Sequence, residues 1–238
     1  MNPERLLQNF DRLIDTPDAV PRLRRFILDL AVRGKLVEQD PEDEPAGELL
    51  KRIEGEKQRL LKAGKKQKNI SHQPIDDEDV LFVLPDSWVW TTIRQITIDR
   101  GQKVPNKKFS YIDVSAIDKE QGKIGQPQIL TPDVAPSRAR KLVQKGDVLY
   151  SCVRPYLLNI AIVDVEYKPE PIVSTAFAVL NGLGLVLPRY LWIVLRCPYF
   201  VTRVEEKMRG QAYPAINDRD FAPLPVPLPP LAEQHRIV

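Results

Sequence analysis

The chain holds only two cysteines and two histidines in 238 residues. Cys152 and Cys197 are too few for a disulfide framework. His72 and His235 stand far from each other and from both cysteines, with none of the spacing of a metal-ligand set. Both cysteines read as small buried apolar groups. No stretch approaches the ~18 uninterrupted apolar residues that a membrane span needs. Met1 to Arg5 shows neither the apolar core nor the small-residue cleavage site of a signal peptide. The expectation is a soluble, cytoplasmic chain with no membrane partner. A large excess of one charge is missing too: 35 basic residues face 32 acidic ones, a net of +3.

What is present is ordinary for a folded protein. Hydrophobic residues make up 43% and charged residues 28%, enough for one sizeable core or two modest units. The charge is unevenly placed. Residues 71–98 carry five acids against Arg94, whereas residues 99–160 carry eleven Lys or Arg against six acids. A basic segment in a nearly neutral chain is either a local anion-binding face or a solvated surface.

The first seventy residues follow a helical period. Asn2 and Pro3 suit a helix start, with Leu6, Phe10, Leu13 and Ile14 on one face. A second helix begins after Pro17 or Pro21. Its apolar residues Leu23, Phe26, Ile27, Leu30 and Ala31 share a face, and Gly34 suits its C-terminal cap. A third covers Ala46 to Ala63, with a narrow stripe of Leu49, Leu50, Ile53, Leu60 and Leu61 and with Glu48 four residues before Arg52. Narrow stripes on charged helices predict packing on another helix, and Leu23, Ile27, Leu30, Leu49, Ile53 and Leu60 are the candidates for partner binding. The lysines at 62, 65, 66 and 68, Pro74 and the acids at 76–79 mark a linker, whose basic run is read as solvated rather than phosphate-bound.

Beyond the linker the pattern changes to strands and turns. A β-prone run covers Trp88 to Ile98, and further strands are expected over 148–153, 159–165 and 173–180. Helices return at 190–195 and from Pro198 to a stop at Gly210. Residues 221–230 alternate proline with apolar residues. Each proline deletes a ladder donor, so this segment is expected to run extended in a polyproline-like form rather than as a central strand. Leu231 to Val238 then begins a helix, with Glu233 favourable in its first turn. Two turns are too short to stand alone, so the stub either continues or packs on the N-terminal helices. The fold class is α+β: a helical region over 1–70, a linker over 71–80, a mixed α/β domain with a twisted sheet over 81–222, and a Pro-rich exit leading into a helix over 223–238.

Three stretches together resemble the specificity subunit of type I restriction–modification enzymes. They are FILDLAVRGKLVEQDPEDEPAGELLKRI from Phe26 to Ile53, LPDSWVWTTI from Leu84 to Ile93, and LPVPLPPLAEQHRIV from Leu224 to Val238. In that family two target-recognition domains, held apart by long helices, each read one half of a split DNA site. This chain differs in having one such domain and an unfinished second helical region. It is similar to the first half of a full subunit, to a shortened one, or to a half-length subunit that works as a self-dimer.

The resemblance implies double-stranded DNA as ligand, with modification (methyltransferase) and restriction (translocase and nuclease) subunits as partners. S-adenosylmethionine, ATP and Mg²⁺ would then belong to those partners, and this chain would carry no cofactor and no catalytic residue. Its sequence indeed has no Asn/Asp-Pro-Pro-Tyr or -Phe methyltransferase motif and no GxxxxGK[ST] phosphate loop.

DNA recognition needs cations for phosphates and planar polar groups for base edges. The candidates are Lys103, Lys107 and Lys108 in a loop with Phe109 and Tyr111; Arg138, Arg140 and Lys141; Arg154 and Tyr156 after a strand; and Gln211 and Tyr213 in the GQAYPAIN segment. Read singly, each is a surface or core-edge residue rather than a base reader; as a set, in the domain that the resemblance assigns to DNA, they are the candidates. For the last segment the alternative is a turn in which Asn217 caps a short helix and Tyr213 packs beneath it. Pro132-Asp133 and Glu166-Tyr167-Lys168 imitate the carboxylates of a metal-dependent nuclease, but both lie in proline-bounded turns and are read as coincidence. A stand-alone Mg²⁺-dependent endonuclease and a helix-mediated assembly module without DNA binding remain the alternative functions.

Overall fold

The computed structural model describes residues 18–63, 75, 80 and 82–238. The expected helix around Leu6 to Ile14, and the linker apart from its edges, lie outside the described residues. Among the described residues two long helices come first, α1 (Ala19–Val32) and α2 (Ala46–Lys62). Gly34 ends α1 as its position suggested. It adopts φ +64°, and Lys35 N–H donates to Leu30 O at 2.9 Å, the long bond of a Schellman cap.

The rest of the chain holds β1 (Val89–Thr92), α3 (Ile93–Ile96), β2 (Phe109–Ile112), β3 (Ile117–Asp118), β4 (Lys123–Ile124), β5 (Gln128–Leu130), β6 (Ala139–Leu142), β7 (Val148–Ser151), β8 (Ile160–Ile162), β9 (Pro171–Ser174) and β10 (Phe177–Leu180). Then follow α4 (Pro188–Arg196), α5 (Pro198–Lys207), α6 (Asp218–Phe221), β11 (Pro225–Leu228) and α7 (Leu231–Ile237). A three-stranded sheet, β10-β7-β8, and a four-stranded sheet, β5-β2-β9-β6, form the body, with β1-β11 and β3-β4 as two-stranded ribbons. The class is mixed α and β, as expected.

The period of two along a strand builds the layers. Leu149 of β7 and Phe177 and Val179 of β10 meet Ile112 of β2 and Val173 of β9, forming a core between the two larger sheets. Val148 and Tyr150 of β7 and Ala178 and Leu180 of β10 point the other way, into a cluster with Tyr190, Leu195 and Phe200 of α4 and α5. On the outer face of the four-stranded sheet, Phe109, Tyr111, Ala139 and Ile172 form a third cluster. The three-stranded sheet is thus a middle layer, buried on both sides.

The N-terminal helices join the middle layer's helical face. Ala31, Val32, Leu49 and Ile53 belong to the same cluster as Tyr190 and Val226, and α1 packs on α4 and α5 while α2 packs on α3. Leu49 and Ile53 are therefore core residues of this chain, not a surface stripe awaiting a partner: both have zero exposure. Leu23, Leu30 and Leu60 are half-buried, and Ile27 alone of the six keeps an exposed side chain. Arg52 pairs with Glu44, not with Glu48, which takes Lys51 instead.

Several other elements differ from expectation. The run from Trp88 to Ile98 is broken because Thr92 and Gln95 form a capping box that starts α3. Residues 173–180 make two strands with a tight turn at Thr175-Ala176, and α5 stops at Lys207, before Gly210. Lys103 to Tyr111 is not one loop, because Phe109 and Tyr111 are buried in β2.

The Pro-rich exit is a strand after all. Prolines at every second position remove donors from one edge only; Val226 and Leu228 keep theirs on the other. That edge pairs with β1, Val89 facing Leu228 and Thr91 facing Val226. The stub α7 packs back on the N-terminal region. Buried Glu233 accepts from Trp88 Nε1 at 2.7 Å and Gln39 Nε2 at 2.6 Å, and Arg236 pairs with Asp43.

Candidate nucleic-acid interface

A continuous run of backbone bonds assembles the candidate surface. Arg138 O, beside β6, accepts from Thr175 N; Ala176 O accepts from Cys152 N; and Cys152 O accepts from Ile216 N. Val153 then bridges to Ala215, which bridges to Arg209. Segments distant in sequence thus lie side by side along the rim of the sheets: Arg138, the 175–176 turn, the 152–158 turn and the 209–217 loop.

The 152–158 turn is tightly held. Arg154 (φ 47°) and Leu158 (φ 56°) take left-handed backbone conformations on either side of a single 3-10 turn, Pro155–Leu157. Such conformations cost about 1–2 kcal/mol for a side-chain-bearing residue, so surrounding bonds must impose them. Here Arg154 N–H donates to Pro214 O at 2.7 Å, and Leu157 N–H donates to Arg154 O. The turn throws Tyr156 and Leu157 into solvent.

Arg154 also links the turn to the neighbouring loop. Its guanidinium lies 4.9 Å from the ring centre of Tyr213, and Nη2 reaches Ala212 O at 3.5 Å. Tyr213 is 70% exposed, so it does not pack beneath α6 as one reading supposed. Asn217 does cap α6: its side-chain oxygen accepts from Asp220 N at 2.9 Å. Gln211 stands exposed at the loop tip beside Gly210, whose φ of +92° makes the bend. Arg209, not anticipated from sequence, flanks the loop and pairs with Asp220 at 3.1 Å. Arg154, Tyr156, Gln211 and Tyr213 are thus brought together. A guanidinium stacked on an exposed ring beside an amide is a group of planar donors and acceptors suited to base edges and phosphates.

The first basic group is less free. Lys103 N–H donates to Arg140 O, which places Lys103 beside β6. The Lys103 ammonium pairs with Glu170, and the Arg138 guanidinium with Asp113 and with the Tyr111 hydroxyl at 3.0 Å. Arg140 Nη1 donates to Ala139 O at 2.8 Å. Lys107 and Lys108 are exposed ahead of β2.

Lys141 is the residue that does not belong on this surface. Its side chain is 3% exposed, and its ammonium sits between Asp218 at 3.5 Å and Asp99 at 3.7 Å. The register of β6 shifts between Ala139, opposite Ser174, and Lys141, opposite Val173, so regular alternation is broken and Lys141 ties the sheet to α6 instead of facing solvent.

Asp133 sits in an exposed 3-10 turn, its carboxyl held low by the Thr131 hydroxyl and its own N–H, and Glu166 lies exposed in another loop. Among the described residues no three His, Cys, Asp or Glu side chains gather as a metal site. Burial pushes both thiols, Cys152 and Cys197, up to about 12, so neither is a ready nucleophile. Among the described residues no helix is long and apolar enough to cross a membrane.

The family profile described as "Type I restriction modification DNA specificity domain" matches residues 91–238, which spans the whole of this surface. The chain belongs to that family. Over 235 residues this specificity-domain chain is 36% identical to the type I restriction enzyme EcoAI specificity subunit of Escherichia coli, covering 92% of this chain and 38% of that one. The EcoEI specificity subunit of the same organism is 32% identical over 237 residues, with the same coverage of both chains. Among solved structures, the HsdS subunit from Thermoanaerobacter tengcongensis superposes with a TM-score of 0.58 at 36% identity, covering 66% of this chain and 41% of that one. The specificity-domain chain therefore spans about two-fifths of the length of these relatives.

Proposed function

We propose that this chain reads one half of a bipartite duplex DNA target and positions modification and restriction subunits on it, with no chemistry of its own. The observation that carries the reading is the convergence of Arg154, Tyr156, Gln211 and Tyr213 on one exposed rim, inside the segment that matches the specificity-domain family. Base edges in the major groove are read by planar groups: guanidinium on guanine, carboxamide on adenine. Lys103, Lys107, Lys108, Arg138 and Arg140 would hold the backbone beside them, fixing register without reading sequence. S-adenosylmethionine, ATP and Mg²⁺ would act in the partner subunits, and a second copy of this chain or a second recognition domain would supply the other half-site.

The test is a methylation assay on a pool of random duplexes. The chain with a modification subunit and S-adenosylmethionine should methylate a single sequence class. The chain alone, with Mg²⁺ or S-adenosylmethionine, should leave the pool unmodified and uncut. Unselective methylation, or Mg²⁺-dependent cutting that vanishes in Glu166→Ala, contradicts the proposal.

A further inference from the structure

A second group of cations gathers beyond the Arg154 turn, where α1, α4 and the β3–β4 turn meet. Trp192 of α4 lies between two guanidiniums on its own helix: Arg189 at 4.4 Å from its ring centre and Arg196 at 4.6 Å. The indole is fixed in place. Its Nε1 donates to Ile160 O at 3.2 Å, and the β3–β4 turn closes on it so tightly that a Cβ on Gly122 would come within 2.3 Å of the ring.

Arg196 is committed to structure. Its Nη1 donates to Lys119 O at 2.7 Å and reaches Leu158 O at 3.5 Å, joining the β3–β4 turn to the end of the reading turn. Arg24 of α1 enters the same region, 3.7 Å from Glu120. Arg189 is exposed, and among the described residues no carboxylate pairs with it. Lys123 stands exposed one residue past Gly122. Glu120, which faces Arg24 and acts on Arg196, is itself 67% exposed, and Arg189 has no carboxylate among the described residues. Burial lowers the affinity of Arg196 for its proton; Glu120 opposes this, and Arg24 and Arg189 add to it. Like charges held this close are favoured once an anion neutralises them.

We propose that Arg189, with Arg24 and Lys123, forms a phosphate-binding site for duplex DNA flanking the half-site read by the Arg154 turn. The proposal rests on the DNA reading above and extends the contact past it. A guanidinium stacked on a fixed indole has already lost most of its rotamer freedom, and its planar fork matches the oxygens of a phosphodiester. Arg196 bonds both this site and the reading turn, so one backbone can pass over both. A protein partner would need an apolar centre to its contact, and Trp192, the large apolar group here, is already buried.

The experiment compares two duplexes with the same half-site, one ending beside it and one extended by about one helical turn (~10 bp) on each side. Affinity is titrated against salt by fluorescence anisotropy. On the long duplex Arg189→Ala and Arg24→Ala should each flatten the slope of log K against log salt by about 0.9. Arg189→Lys should keep the wild-type slope. The short duplex and the ratio of cognate to scrambled binding should not change. An Arg189→Ala chain that matches wild type on the long duplex overturns the site. So does one that instead loses assembly with the modification subunit, or one that weakens both duplexes alike with a lowered melting temperature. If the wild-type chain binds neither duplex, the DNA reading itself falls, and this site falls with it.

Discussion

At the scale of single residues, left-handed backbone positions show where the fold spends strain. Gly34 takes φ +64° under Pro85, and a Cβ there would lie 2.4 Å from Pro85 Cγ. That position joins α1 to the segment leading into β1. Gly34→Ala should destabilise the chain by at least about 1–2 kcal/mol, the cost of a left-handed side-chain residue, with the clash adding to it. Urea denaturation would show this as a lower midpoint with an unchanged slope; an unchanged midpoint would mean that Pro85 yields freely. Arg154 and Leu158 carry the same cost at the rim, where no glycine relieves it. At Arg154 the strained position carries a side chain on the exposed rim, which fits a surface that contacts a ligand, whereas Leu158 packs against the main core. Lys141 marks the limit of reading residues by type. A lysine among arginines looked like part of a basic face, yet a register shift in β6 between Ala139 and Lys141 leaves it buried between two carboxylates.

At the scale of elements, the seam between α2 and α3 depends on one buried cation. Lys57 is 3% exposed, and its ammonium donates to Arg94 O and Gln95 O, supplying donors to carbonyls at the end of α3. Burial lowers its pKa from 10.5 to about 8; Glu54 opposes the shift and Arg94 adds to it. Between about 8 and 10.5 the unfolded chain therefore binds a proton that the folded chain has released. Stability contributed by this group must rise with pH across that window. The stability of wild type minus that of Lys57→Met, measured by denaturant titration from pH 7 to 10.5, should increase by about 1–3 kcal/mol. A flat difference would mean that Lys57 keeps its proton at an ordinary pKa.

The same scale shows what was legible beforehand. The helices α1 and α2 were, because a 3.6-residue period repeats over three or more turns and Gly34 punctuates the first. The stripe of Leu49 and Ile53 predicted a packing partner correctly in kind, but a stripe cannot say whether the partner is another molecule or the chain's own α3 and core. The four-residue strands over 99–142 escaped notice. Phe109 to Ile112 is buried on both faces and so lacks alternation, and Lys107-Lys108 immediately before it resemble a loop. Alternating prolines concealed β11, because the donors they remove all face the same edge.

At the scale of the whole molecule, the reading rim could not be seen in the sequence, because it is made by backbone bonds between segments far apart along the chain. Arg154 meets Tyr213 only because Cys152 pairs with Ile216 and Val153 with Ala215. The three sheet-and-helix layers hold that rim, and the N-terminal helices share the core beneath it. The central claim is that this rim reads base sequence while the lysines beside β2 hold phosphate. It is tested most directly by a salt titration on cognate and scrambled duplexes. Lys107→Ala and Lys108→Ala should weaken both duplexes alike and flatten the salt slope by about 0.9 each. Arg154→Ala and Gln211→Ala should cost about 1–3 kcal/mol on the cognate duplex and little on the scrambled one. If all four variants keep wild-type affinity and slope on both duplexes, this rim is not the DNA face, and the account is contradicted.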